Sequence, residues 1–193
     1  MKVLVTGTST GIGRGIAEKF LAEGHTVIGL DVAESTIAHE NYAHYIADVA
    51  CPEQLPAVEG VEILINNAGV QDSGRDIDVN LRGTIYCTEK YGIQPNIKSI
   101  VMTASVSAHN GAEFPEYCAS KGGVLAYTKN VALRVAKYGA TCNSISAGGV
   151  ITELNAHILE NPALWDQVMA ETLLPKWATV EEMAEWTYLL AVV

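Results

Sequence analysis

Long apolar runs, clustered cysteines and positive charge are what this sequence has little of. No stretch reaches the roughly 18 apolar residues of a membrane-spanning helix, so neither a span nor a membrane partner is expected. Met1 and Lys2 lead directly into VLVTG without the charged, apolar and small-residue succession of a secretory leader, and a cytoplasmic protein is expected. The four cysteines, Cys51, Cys87, Cys118 and Cys142, are scattered and never take C-x-x-C spacing. That argues against a disulfide framework and against a thiolate metal site, and it fits reduced thiols. The histidines lack ligand spacing as well: His39 and His44 would diverge on a helix, so no metal is expected. Lysine and arginine total 12 against 22 acidic residues, a net charge of −10, which leaves no basic face for a nucleic-acid backbone.

What is present is enough apolar sequence for one core. The chain has 193 residues, 49% of them hydrophobic and 18% charged, which suits a single compact domain over 1–193 better than two. Short apolar runs at 2–6, 25–31, 42–48, 61–69, 97–105 and 140–149 read as strands. Helical periodicity occupies 12–24, 77–91, 115–138, 160–170 and 179–192. Strands alternating with helices predict an α/β fold: a Rossmann-type, doubly wound parallel sheet covered on both faces.

The stretch TGTSTGIG (6–13) lies between the first strand and the first helix. Its glycines allow a tight turn and a close approach of backbone to ligand, and the helix behind it offers free N–H groups and a positive dipole end. Gly7, Thr10, Gly11, Ile12 and Gly13 are therefore candidate contacts for a pyrophosphate. No Gly-Lys-Ser/Thr follows, which disfavours a nucleoside triphosphate. Asp31 closes the second strand, where a carboxylate can accept from ribose hydroxyls and repel a 2′-phosphate, or can cap the next turn. With Thr10 before Gly11 and no basic residue directly after Asp31, NAD is favoured over NADP. Asp48 and Val49, at the end of the third strand, are candidates for the adenine edge.

In EYCASKGG (116–123), Tyr117 and Lys121 stand one helical turn apart with small residues between them. An isolated tyrosine, with a pKa of about 10, is a poor base near neutrality. A neighbouring ammonium stabilises its phenolate, and Ala119 and Ser120 leave room for a cofactor.

The ordered set TGTSTGIG, NNAG (66–69), Asn80 in DVN, Ser105 in MTASVSA and YCASK (117–121) resembles the short-chain dehydrogenase/reductase family over nearly the whole chain. The resemblance implies Tyr117 as acid/base and Lys121 as the residue that lowers its pKa and binds the nicotinamide ribose. It implies Ser105 on the substrate oxygen, with Ser107 as a competitor, and Asn80 as holder of a water. Asn67, Ala68 and Gly69 would run along the adenosine ribose, and Gly148, Val150 and Thr152 would meet the nicotinamide amide. The implied reaction interconverts a small-molecule alcohol and a ketone with NAD, in a homodimer or homotetramer. A non-catalytic NAD/NADH-binding regulatory protein on the same fold is the alternative, and a nucleotide-sugar epimerase ranks last because its glycine spacing differs.

Three departures from the family pattern stand out. Ala147 replaces a proline. The connections between Asp31 and Asp48, Asp48 and Asn67, and Gly69 and Asn80 are short, so helices there should be trimmed and the adenine side open. The sequence stops at WTYLLAVV, where the family continues into a final strand; either that strand is lacking or the sequence ends short of it. Residues 153–177 should supply a substrate lid. Its apolar content suits a hydrophobic substrate, although packing of an amphipathic helix onto the domain is the preferred reading of those residues.

Overall fold

The computed structural model describes residues 1–112 and 114–193. Its strands are β1 (Lys2–Thr6), β2 (Thr26–Asp31), β3 (Tyr42–Ile46), β4 (Ile63–Asn66), β5 (Ser99–Ser105) and β6 (Thr141–Ala147). All pairings are parallel, and the order is β3-β2-β1-β4-β5-β6. The chain winds outward in one direction from β1 and in the other from β4. A crevice therefore opens at the carboxyl ends of these two neighbours, the expected ligand position in such a sheet.

Strand residues alternate between two cores, as the two-residue period requires. Val3, Val5, Val27, Ile63, Ile65 and Val101 meet α1 (Gly11–Ala22) and α7 (Val180–Val192). Leu4, Ile28, Leu30, Leu64, Ile100 and Met102 face the other way, toward the helical stretch 77–92 and α4 (Pro115–Val135). On α4 the predicted stripe of Val124, Thr128, Val131 and Val135 is buried. Its last turn tightens at Ala136–Tyr138, and Gly139 ends it at φ 71°.

The stretch 77–92 is helical as expected but only partly α. Its middle, α2 (Thr84–Cys87), is flanked by wider π turns at Ile77–Gly83 and Thr88–Gly92. Thr84 Oγ1 donates to Asn80 O at 2.7 Å, and Thr88 Oγ1 donates to Thr84 O at 2.7 Å. Hydroxyls bonded four residues back in this way compete with the helical ladder.

The short connections leave the layers thin. Residues 32–41 contain no helix, and the connection between β3 and β4 has only one short helical turn, Pro52–Gln54. At the β3 edge, Tyr45 and Ile46 are consequently 42% and 56% exposed. The predicted packing of residues 153–177 is only partial: in α5 (Ala156–Leu159) and α6 (Pro162–Glu171) Ile158, Leu159, Trp165, Val168 and Met169 are half-buried and none is fully buried, while Leu173 and Leu174 project into solvent. Trp177 is the anchor, buried against Gly149 and edge-on to Trp165 at 5.3 Å. The remaining helix, α3 (Ser107–Asn110), is one turn after β5.

Candidate active site

A cleft of about 350 Å³ runs along the carboxyl ends of the strands. The glycine loop forms its floor. At Gly13 a Cβ would stand 1.9 Å from the Gly7 carbonyl oxygen and 2.5 Å from Asn67 Nδ2, so any side chain there would break the turn. Gly7 has φ +76°, and a Cβ on it would press on the Ala68 backbone at 2.9 Å. These approaches bring the amino end of α1 against the NNAG segment. That leaves a shallow cradle lined by Gly7, Thr10, Gly11, Ile12 and Gly13, whose backbone suits a diphosphate.

Asn67 joins the central strands. Its N–H and that of Ala68 donate to Thr6 Oγ1 at 3.0 and 2.9 Å. Its amide donates to Thr6 O at 3.2 Å and accepts from Thr103 Oγ1 at 3.3 Å. Asn67, Ala68 and Gly69 all line the cleft. Asn80, 1% exposed, clamps the next residue: its Oδ1 accepts from Val70 N at 2.7 Å, and its Nδ2 donates to Val70 O and to Ser120 Oγ. Asn80 itself stands behind the cleft wall. A Cβ on Gly69 would lie 3.2 Å from Asn80 Oδ1 and 3.3 Å from Lys121 Nζ, so both polar groups crowd that glycine.

Tyr117 and Lys121 both line the cleft, with the Lys121 ammonium 5.8 Å from the centroid of the Tyr117 ring. Lys121 is buried and donates to Thr103 O at 2.8 Å. Burial pushes its pKa down to about 8, with the Asp76 carboxylate opposing the shift. The ammonium therefore stays charged at neutrality but has little margin. Ser105 ends β5 beyond the cleft lining; its Oγ accepts from Ser107 N and donates to Ser107 Oγ, each at 3.2 Å.

At the β2–β3 end of the cleft, Asp31 caps the turn that follows its strand. Its carboxylate lines the cleft while accepting from Ser9 N at 2.9 Å and from Ala33 N at 3.0 Å. Asp48 and Val49 also line the cleft. The sequence reading missed Arg75, whose Nη2 meets Asp48 Oδ2 at 2.7 Å across the cleft. At the other end Thr152 lines the cleft beside Gly11, with Glu153 and Leu154 next to it. Val150 is buried behind it in a bridge to Ala178, and Gly148 lies outside the lining. Among the described residues no group of three acidic, histidine or cysteine side chains could hold a metal ion.

The family model described as Enoyl-(Acyl carrier protein) reductase matches residues 7–192. A curated relative, the 2-(R)-hydroxypropyl-CoM dehydrogenase of Xanthobacter autotrophicus (strain ATCC BAA-1158 / Py2), is 29% identical over 97% of this chain and 90% of its own. The 3-oxoacyl-[acyl-carrier protein] reductase of Brucella melitensis, solved with NAD, superposes with a TM-score of 0.83 at 27% identity, covering 98% of this chain and 89% of that one. An Agrobacterium tumefaciens structure with bound NADP gives 0.88 at 25% identity, covering 98% and 88%. The chain belongs to the short-chain dehydrogenase/reductase family. It is an oxidoreductase with a nicotinamide cofactor and a small-molecule substrate.

Proposed function

We propose that the protein interconverts a secondary alcohol and a ketone, using NAD(H). The observation that carries this reading is the pairing of Tyr117 with a buried, charged Lys121 in the same cleft as the glycine cradle. A nicotinamide dinucleotide held there supplies the hydride acceptor or donor. Tyr117 takes the hydroxyl proton in the oxidative direction and returns it in the reductive one. The Lys121 ammonium favours the phenolate by Coulomb attraction and offers a donor to the nicotinamide ribose. Ser105, reoriented from Ser107, holds the substrate oxygen. Asn80 keeps the wall rigid through Val70 and positions a water behind Lys121. Thr152 meets the nicotinamide amide, on a loop that Gly148 and Val150 shape from behind.

The Asp31 carboxylate supports NAD: it faces the ribose position, where a 2′-phosphate would meet like charge. Residues 153–177 form the substrate lid, and Leu154 already reaches the cleft. A curated relative named for a hydroxypropyl substrate supports a hydroxyl-bearing one here.

The test is a spectrophotometric panel of secondary alcohols and ketones with NAD(H) and NADP(H). Turnover should prefer NAD(H), and Tyr117→Phe should lower kcat by about 10²–10⁴-fold. Dinucleotide binding without turnover across the panel would favour the regulatory alternative. A preference for NADP(H) would overturn the role given to Asp31.

A further inference from the structure

The adenosine end of the cleft is built differently from the rest. With no helix over residues 32–41 and only the short turn at Pro52–Gln54 before β4, neither connection lays a helix over the cleft mouth at Asp48, and Val49 packs inward against Gly83. The loop after NNAG comes close instead. Asp76, 1% exposed, folds that loop by accepting from Asp72 N and Ser73 N, each at 2.9 Å, and from Ser73 Oγ at 3.1 Å. Asp72 is driven to φ 52° in the process. The turn carries Arg75 across the opening onto Asp48 Oδ2, 27 residues away in sequence.

This ion pair is suited to more than surface decoration. Both partners line the cleft together with Asp31, Val32, Ala47 and Val49. The Asp48 side chain is 18% exposed and that of Arg75 54%. Asp48 Oδ1 also accepts from Ala50 N at 2.9 Å. Burial alone would raise the Asp48 pKa, but the Arg75 guanidinium and the Ala50 N–H outweigh it and hold the carboxyl below its ordinary range. Asp48 is thus fixed in place, ionised, and has lone pairs to spare, because a carboxylate accepts about four hydrogen bonds.

We propose that Arg75 positions the purine of the cofactor. It holds Asp48 oriented to accept from the adenine 6-amino group, and its planar guanidinium closes the outer face of the base where the trimmed connections leave no wall. The proposal rests on the dinucleotide reading of the cleft. Nη2 of Arg75 is paired with Asp48, and Asp31 stands in the same lining, so a 2′-phosphate there would face two carboxylates. Adenine presents a donor at position 6 and an acceptor at N1, whereas hypoxanthine presents the reverse. A site built on a carboxylate acceptor should therefore reject hypoxanthine.

Calorimetric titration with NADH, with its deamino (hypoxanthine) analogue and with NADPH tests this on the wild type, Arg75→Ala, Arg75→Lys and Asp48→Asn. The wild type should prefer NADH over the deamino analogue by about tenfold, the worth of one charge-assisted hydrogen bond. Arg75→Ala should bring that ratio close to one, mainly by weakening NADH. Arg75→Lys, which keeps the charge but not the plane, should recover part of the ratio. Asp48→Asn, whose amide can donate to the 6-oxo group, should shift the preference toward the deamino analogue. Equal losses for both dinucleotides in Arg75→Ala, an unchanged ratio, or a loss confined to NADPH would each overturn the proposal. A wild type that binds no dinucleotide would sink the underlying reading of the cleft, and that result is distinct from binding without discrimination.

Discussion

Lys121 pays for its position, and the penalty is measurable. Its folded pKa, about 8 against an ordinary 10.5, means that between these values the unfolded chain binds the proton that the folded chain has lost. Stability therefore rises with pH through that window, and the full cost of burying the charge is present below it. Lys121→Met should abolish turnover yet stabilise the fold at neutral pH by about 1–3 kcal/mol, as replacement of a buried charge by an apolar side chain often does. It should also remove the part of the pH dependence between 8 and 10.5 that Lys121 contributes. Denaturant unfolding of both proteins at several pH values checks this; a variant less stable at pH 7, with an unchanged pH slope, would refute the burial argument. Tyr117 and Lys121 were legible in the sequence because one helical turn fixes their relation locally. Arg75 was not, because its meaning comes from a tertiary approach to Asp48 that no local spacing encodes.

At the scale of elements, the strands were legible through their apolar runs, but most of their ends were not. The fourth was expected over 61–69 and ends at Asn66, because the side chains of Asn67 and Thr6 take over the hydrogen bonding beyond it. The π turns in 77–92 were also invisible to periodicity. They depend on hydroxyls meeting carbonyls and on Asn66 Nδ2, which donates to Thr88 Oγ1 at 2.9 Å. Asn66 Oδ1 is the one buried side-chain polar atom among the described residues with no partner. Thr88→Val would leave that amide without either bond. A loss of about 1–3 kcal/mol is expected in chemical denaturation. A change within about 0.5 kcal/mol, the range of an innocuous surface substitution, would show that the amide is satisfied elsewhere.

For the whole molecule, the α/β class, the parallel sheet and the thin cover beside β3 followed from the sequence, since short connections cannot hold full helices. The behaviour of residues 153–177 did not follow, because the same apolar pattern serves a packed helix and a lid. The proposed assembly belongs to this scale too. By family resemblance α4 and the 77–92 stretch should pair with a second copy, and Leu133 on α4 is 81% exposed in the single chain. Glu89 and Arg134 already tie these two elements into one surface. Light scattering should give a mass of two or four chains, and a mass equal to one chain would count against the interface.

The edge-on contact of Trp165 with Trp177 has a practical consequence. One indole rides on α6 and the other is fixed against Gly149, so any swing of that helix changes their separation. Two of the three indoles in the chain therefore make a built-in optical gauge, which would report in real time, without an added label, whether a ligand moves that helix.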